Sequence, residues 1–437
     1  MSIELISLLL FGGLLLLLVS GLPLVFALGS VAIIGTYYLW GPNALFLAAI
    51  RTFDSAKSFV LLAIPMFIFM GCMLDRSGIA RDLYEMIFKW LSAVRGGLAA
   101  GTVIICTIFA ALVGVSGAAT VTMALIALPS MLAYGYDKRL AIGCIAGGGA
   151  LGVLIPPSVL LIVLGLFTNT SIGQLFAAGL PAGGIIVLLF LAYILIRSWL
   201  QPELAPAVAV EDRATWRECF VSLRNVVLPI ALVVVVLGSI IGGIATPSEA
   251  ASVGAVGSML CAAVYRQLTW RNILDSAYTT LRLSCMVMWI LFAASIFTAL
   301  YSAVGAEGLV RSILGQMPGG RWGVIISMQI IWLIMGAFLD PIGIMMITAP
   351  LFFPIAVGLG FDPVWFGIVF IINMEMAFLT PPFGFNLFYI KGVAPKDVSM
   401  LDIYRSVAPF VFLQALALAI VMAFPGSVLW LPTMLFR

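Results

Sequence analysis

Apolar stretches of 17 or more residues recur along the whole 437-residue chain, roughly at 3–20, 22–40, 56–74, 139–167, 175–198, 225–244, 247–266, 280–303, 363–390 and 403–424. A segment of that length and polarity matches the hydrocarbon thickness of a bilayer. Composition agrees: 63% of residues are apolar and 9% charged, against about 45–50% and about 25% in soluble domains. A water-soluble globule and a disordered chain are both excluded. The fold class is an all-α polytopic membrane protein. No signal peptide is evident, because the first apolar run lacks a basic leader and runs straight into the next.

Several chemistries drop out. The chain has no histidine, which removes Ser-His-Asp and Cys-His catalysis, the usual zinc and haem ligand sets and a histidine proton switch. Six scattered cysteines without a CxxC read as small apolar residues. A net charge of +3 is too small for a nucleic-acid footprint. Gly147-Gly148-Gly149 lacks the Lys-Ser/Thr of a phosphate loop and reads as close helix packing. A membrane enzyme finds no nucleophile, metal set or cofactor motif, and nothing suggests the symmetric filter of a channel.

Two further apolar stretches, 97–134 and 322–357, are each broken near the middle. The first breaks at Gly114-Val115-Ser116-Gly117-Ala118-Ala119-Thr120, the second between Gly336 and Asp340-Pro341-Ile342-Gly343. Each half is short for an upright crossing, which favours re-entrant hairpins over paired spans. With the N-terminus outside, the segments on the cytoplasmic side carry 16 of the 21 Lys and Arg. The positive-inside rule therefore predicts both termini outside. The polar segment 199–224, with Glu211-Asp212-Arg213, reads as a cytoplasmic linker. Residues 79–93 place Ile79, Leu83, Met86, Ile87 and Trp90 on one helical face. That pattern suits an interfacial arm helix, or equally a surface connector.

The chain matches itself at an offset of 225. Pro129, Gly135, Asp137, Leu154, Pro156 and Pro157 align without a gap with Pro354, Gly360, Asp362, Leu379, Pro381 and Pro382. Small indels extend the match to Pro23 with Pro247, Asp54-Ser55-Ala56 with Asp275-Ser276-Ala277, and Ser171 with Ser399. Each copy, 1–198 and 225–437, holds five crossings and one hairpin, and the second also has an arm helix. An odd number of crossings forces the copies into opposite orientations, the inverted repeat of many secondary transporters. The hairpin tips Ser116-Gly117 and Asp340-Pro341 are then expected to approach each other near mid-membrane.

A Pro-Pro pair falls inside the crossing after each hairpin, at Pro156-Pro157 and Pro381-Pro382. Consecutive prolines unwind a helix, and bare backbone in a membrane is tolerated only around a protein cavity. Such breaks offer carbonyl oxygens to Na⁺ and helix N-termini to anions. Ser116, Thr120, Ser158, Thr380 and Asn386 supply uncharged oxygens at the breaks; each also suits local backbone satisfaction. Thr246-Pro247-Ser248-Glu249 has the form of a capping box, which places Glu249 as a helix cap ahead of a proton carrier. Asp340 is a cap or a costly buried charge with a function. Asn373 and Glu375 line a cavity or bond a neighbouring helix.

These residues resemble the large membrane subunit of the tripartite ATP-independent periplasmic (TRAP) transporters, the DctM-like family. The marks cover essentially the whole chain: Ala63-Ile64-Pro65, Ser116 to Thr120, Gly152 to Ser158, Thr246 to Ala251, Leu339-Asp340-Pro341 and Thr380 to Phe388. Ala118 stands where many members have Ser, so ligation there would lean on backbone carbonyls. The resemblance implies a Na⁺-coupled elevator, with hairpins and broken helices sliding against a scaffold. It implies a small four-helix membrane subunit (DctQ-like) and a periplasmic substrate-binding protein (DctP-like) as partners, this chain being the unfused large subunit. The implied substrate is an organic acid such as a C4-dicarboxylate, sialic acid or a sugar acid, and the location is the bacterial inner membrane. One Na⁺ is expected at Ser116, Gly117, Thr120 and the carbonyls near Ile155-Pro156. Gly336, Asp340, Thr380, Pro381 and Asn386 are expected to help hold a second. The substrate carboxylate is expected near Ser158, Thr380, Gly384 and Asn386. The alternatives are proton coupling through Asp340, Glu249 or Glu375, or an anion symporter that needs no binding protein.

Overall fold

A computed structural model describes residues 2–114, 116–209, 213–382, 384–396 and 398–436, the side chains of Asn225 and Glu307 aside. Val115 of the first tip, Glu211-Asp212 of the linker, Phe383 of the second break motif and Arg437 lie outside the described residues. The first half contains α1 (Ile3–Val19), α2 (Leu24–Trp40), α3 (Leu45–Ala56), α4 (Ala63–Arg76), α5 (Ile79–Leu91), α6 (Gly97–Val113), α7 (Ser116–Ala133), α8 (Lys138–Ala150), α9 (Val159–Thr168) and α10 (Ile172–Leu200). The second contains α11 (Trp216–Ile241), α12 (Pro247–Val264), α13 (Trp270–Ala303), α14 (Ala306–Gly315), α15 (Gly320–Gly336), α16 (Pro341–Gly358), α17 (Pro363–Ala377), α18 (Phe385–Val393), α19 (Met400–Ala423) and α20 (Gly426–Leu435). No strand occurs among the described residues.

Among the described residues six helical segments are long and apolar enough to cross a membrane, and eight if two bent pairs each count as one span. The protein is therefore a multi-spanning all-α membrane protein. That count and the ten crossings expected from sequence differ in membership: α7, α16 and the bent pair α14–α15 are hairpin arms, while α1, α2, α12 and the two proline-broken segments are not counted. Residues 139–167 and 363–390 each divide at their prolines into two short helices, α8/α9 and α17/α18. α1 and α2 are 17 residues each, about 26 Å at 1.5 Å per residue. The two central stretches break at Gly114 and at Ala337–Asp340, giving α6–α7 and α15–α16, and α7 and α16, 18 residues each, are among the six.

Residues matched by the internal repeat do the same local work. The Asp137 carboxylate accepts from Arg139 and Leu140 N–H at the start of α8. That of Asp362 accepts from Val364 and Trp365 N–H at the start of α17. Both supply partners for orphan helix-end donors. Ser171 and Ser399 cap α10 and α19 in turn. Gly135 and Gly360 take φ of 76° and 83° just after each hairpin, a left-handed stop that glycine reaches without strain.

Packing joins the halves. α7 lies against α18 and α16 against α9, so each hairpin touches the helix that follows the other half's proline break. α4 packs on α12 and α13, and α13 on α2, while α4 also touches α6 and α13 touches α16. Two expectations change. The apolar face of α5 is covered by α6 and α11 rather than left to lipid, with Ile79 and Leu83 fully buried. The linker also packs back on the first half. Gly96 and Asp137 N–H donate to Ala205 and Leu204 carbonyls, and Val208 N–H to the Ser92 carbonyl. Sequence reasoning missed α3 and α20 as helices, because at 12 and 10 residues both are too short to register as crossings.

Candidate functional site

The site begins at α8. Its three consecutive glycines are 100° apart around the helix, so each opens a different face. A β-carbon at Gly147 would meet the Phe410 ring of α19 at 2.8 Å, at Gly148 Cys106 of α6 at 2.8 Å, and at Gly149 Thr120 Oγ1 of α7 at 2.1 Å. The run is thus a packing device, as the sequence implies. It lets both arms of the first hairpin close on the helix that leads into the first break.

At that break Pro156 and Pro157 supply no N–H, and carbonyls lose their helical partners. The Ser158 hydroxyl donates to the Val153 carbonyl at 2.5 Å and accepts from Leu161 N–H at 3.4 Å. It thereby mends the end of one helix and caps the next. Both diproline peptide bonds are cis. At the second break the freed carbonyls are met locally. Asn386 N–H donates to the Phe378 carbonyl at 3.2 Å and Gly384 N–H to the Thr380 carbonyl at 3.1 Å. The Thr380 hydroxyl donates to the Met376 carbonyl at 2.8 Å. A β-carbon at Gly384 would lie 2.7 Å from the Phe378 oxygen, so only glycine lets this chain turn back so tightly.

The first hairpin tip joins the two breaks. Gly114 has φ +66°, and a β-carbon there would sit 2.4 Å from the Pro157 carbonyl oxygen. Two residues on, the Ser116 hydroxyl donates to Asn386 Oδ1 at 2.9 Å, and Asn386 Nδ2 donates to the Ala146 carbonyl at 3.4 Å. The Thr120 hydroxyl donates to the Ser116 carbonyl at 3.0 Å. Ser116, Thr120 and Asn386 are essentially inaccessible to solvent. The sequence assigns Ser116 and Asn386 to different ions; the packing of α18 on α7 brings the two side chains into hydrogen-bond contact. Sequence reasoning also missed Tyr389, whose ring lies against Gly117 and which is in electrostatic range of Asp340.

Asp340 is less involved. Its carboxylate caps α16, accepting from Gly343 N–H at 3.2 Å, and among the described residues no hydrogen bond ties it to the first tip. Gly336 packs against Ala377 of α17 instead. Glu249 is a cap as expected: Thr246 N–H donates to its carboxylate at 2.8 Å and Glu249 N–H returns to the Thr246 hydroxyl. Asn373 bonds a neighbouring helix, donating to the carbonyl and side-chain oxygens of Gln329, both at 2.9 Å. The tip side of the first hairpin also meets α4, where the Thr122 hydroxyl donates to Asp75 at 3.0 Å.

Glu375 is fully buried, and neither carboxyl oxygen has a hydrogen-bond partner among the described residues. Gln414 of α19 lies beside it, close enough to interact with the carboxyl but outside hydrogen-bond geometry. A buried charge with no counter-charge is costly, and a neutral group of the same shape removes that cost. Glu375→Gln is accordingly expected to leave the thermal midpoint unchanged or higher. Glu375→Lys, a longer side chain with a strongly hydrated charge, should lower the thermal midpoint. Thermal unfolding of both purified variants checks this.

The arrangement offers uncharged oxygen donors around two helix breaks. Among the described residues no group of three or more His, Cys, Asp or Glu could hold a transition metal. Comparison with known proteins gives a consistent answer. Residues 11–427 match the family described as "Tripartite ATP-independent periplasmic transporter, DctM component". The chain is 33% identical over 401 residues to the C4-dicarboxylate TRAP transporter large permease protein DctM of Pseudomonas aeruginosa, covering 92% of each chain. It is 29% identical over 423 residues to the ectoine TRAP transporter large permease protein TeaC of Halomonas elongata, covering 96% of this chain and 97% of that one. Among solved structures it superposes on the YdaH transporter of Alcanivorax borkumensis with a TM-score of 0.61 at 15% identity, over 97% of this chain and 99% of that one. That last likeness concerns the fold alone.

Proposed function

This chain belongs to the DctM component family of the tripartite ATP-independent periplasmic transporters, and from that premise we propose that it is the large permease subunit of a Na⁺-coupled organic-acid importer. It is a multi-pass inner-membrane transport protein rather than an enzyme. The substrate class is a C4-dicarboxylate, sialic acid or sugar acid. The relative that handles C4-dicarboxylates supports the acid, and the ectoine relative marks the range of the family.

The observation that carries the reading is the buried junction of Ser116, Asn386 and the Ala146 carbonyl. It gathers uncharged oxygens from the first hairpin, the second break and α8 at one point. Hard oxygens of this kind suit Na⁺. Ser116, Gly117, Thr120 and the carbonyls of Ile155 and Pro156 would hold one ion, with Asn386 now on that side. Asp340, with Gly336, Thr380 and Pro381, would serve a second. The substrate carboxylate would sit by Ser158, Thr380, Gly384 and Asn386, where the N-termini of α9 and α18 favour negative charge.

The two copies run in opposite directions through the membrane, with both termini periplasmic and the linker cytoplasmic. The matched caps at Asp137 and Asp362 and the exchanged hairpin contacts support this arrangement. Both hairpins and both broken helices would move as one elevator body past the group formed by α2, α4, α12 and α13. The bond from Thr122 to Asp75 would then break at each cycle. A small four-helix DctQ-like subunit and a periplasmic DctP-like binding protein would complete the system.

Thermal unfolding at matched ionic strength tests the ion site without knowing the substrate. A ligand that binds only the folded state stabilises it by about 2.7 kcal/mol at 100 times its Kd. NaCl should therefore raise the midpoint above that in KCl for the wild type, and the difference should shrink in Ser116→Ala. Equal midpoints in the two salts would remove the sodium site. Proton coupling has one supporting observation, the unpartnered Glu375 carboxyl. It predicts that Glu375→Gln loses driven transport while keeping its fold.

A further inference from the structure

A crevice of about 630 Å³ separates α1 from the second hairpin, beneath α14. Leu14 and Leu18 of α1, Ile313 of α14, Ile331 and Met335 of α15, and Phe352 of α16 are among its walls. Thr348 is its one polar lining side chain, and that hydroxyl is committed twice. It donates to the Ile344 carbonyl at 2.7 Å and accepts from Trp332 Nε1 at 2.8 Å. Among the described residues no polar side-chain group is left over to bind a polar ligand, which points to a hydrocarbon occupant.

Shape narrows the choice between hydrocarbons. An α-helix with side chains is about 10 Å across, so this volume would hold less than two turns of one. A slender alkyl chain fits it. Charge adds the head group. Arg311 follows Val310, a crevice residue, and its guanidinium reaches Gly358 at the end of α16. It is exposed and forms no ion pair among the described residues. A cation beside an apolar slot is the arrangement that holds an anionic phospholipid.

We propose that an acyl chain of an anionic phospholipid fills the crevice between α1 and the α15–α16 hairpin, its phosphate paired with Arg311. α1 packs chiefly on α2 and α14, so the lipid stands in for a direct helix contact. A fluid wall would let the hairpin slip past α1 without exposing a void. That consequence rests on the elevator reading; the lipid site itself does not.

The full chain, reconstituted in vesicles of phosphatidylcholine with phosphatidylglycerol bearing a photoreactive acyl chain, tests the site. Labelling mapped by mass spectrometry should concentrate in the peptides around Leu14, Met335 and Phe352, well above that at Leu188, an exposed position on α10. Arg311→Gln should cut crevice labelling about fivefold, and Leu14→Trp should cut it by filling the slot. Arg311 is exposed, so its variant keeps the test decisive if the tryptophan variant fails to fold. Labelling no higher than at Leu188, or unchanged in Arg311→Gln, overturns the proposal. Labelling that disappears when the small membrane subunit is reconstituted alongside assigns the crevice to a protein partner and also overturns it.

Discussion

Gly149→Val is expected to abolish transport and to lower the thermal midpoint by several degrees. The position is fully buried in α8 where α7 crosses it, and a β-carbon there would lie 2.1 Å from Thr120 Oγ1 and 3.0 Å from the Thr120 α-carbon. A rotamer change could move the hydroxyl, but the α-carbon can move only with the hairpin. Overpacking of this kind costs about 1–3 kcal/mol or more. Valine gains little helix propensity in return, since its branched carbon loses χ1 freedom. The shift would carry Ser116 away from Asn386, so function should suffer beyond the stability loss. Gly184→Ala is the control. It sits in α10 with no atom within 4 Å of the new carbon, and should be neutral or stabilising by about 0.4–1 kcal/mol. If Gly149→Val melts and transports like the wild type, the close crossing of α7 and α8 is not what holds the site.

Asn386→Leu is expected to reduce uptake at least about tenfold while the chain still inserts and folds. Leucine has a similar shape, but it leaves the Ser116 hydroxyl and the Ala146 carbonyl without their partner. An unsatisfied buried polar group costs about 1–3 kcal/mol, and about 1.4 kcal/mol is already a factor of ten. Ser116→Ala should be milder, and the double variant should fall short of the sum, since both remove one shared interaction. Strictly additive losses in a double-mutant cycle would show that the two side chains act separately.

Much of this architecture is legible in the sequence because membrane helices announce themselves. Length and apolarity mark the spans, and the diprolines mark the breaks, since a ring without an N–H cannot continue a helix. The paired caps at Asp137 and Asp362 were recoverable from the internal repeat, and Glu249 from its capping-box spacing. Gly147-Gly148-Gly149 declared close packing but not which helices approach. The pairing of Ser116 with Asn386 was hidden. The two lie 270 residues apart, and only the exchange of half-helices between the copies brings them together. Asp340 illustrates the opposite difficulty. An Asp-Pro at a hairpin tip reads as a functional charge or as a cap, and the Asp340 carboxylate does accept from Gly343 N–H at the start of α16. α5 was correctly amphipathic, yet periodicity reports an apolar face without saying whether lipid or protein covers it.

Sodium coupling at the hairpin–break junction is tested most directly by uptake into proteoliposomes that hold this chain with its small membrane subunit. The binding protein, loaded with a labelled C4-dicarboxylate, sialic acid or sugar acid, is supplied outside. An inward Na⁺ gradient should drive accumulation, with none under an equal K⁺ gradient, and Asn386→Leu should erase the difference. Accumulation that is as fast with K⁺ as with Na⁺ would contradict the account.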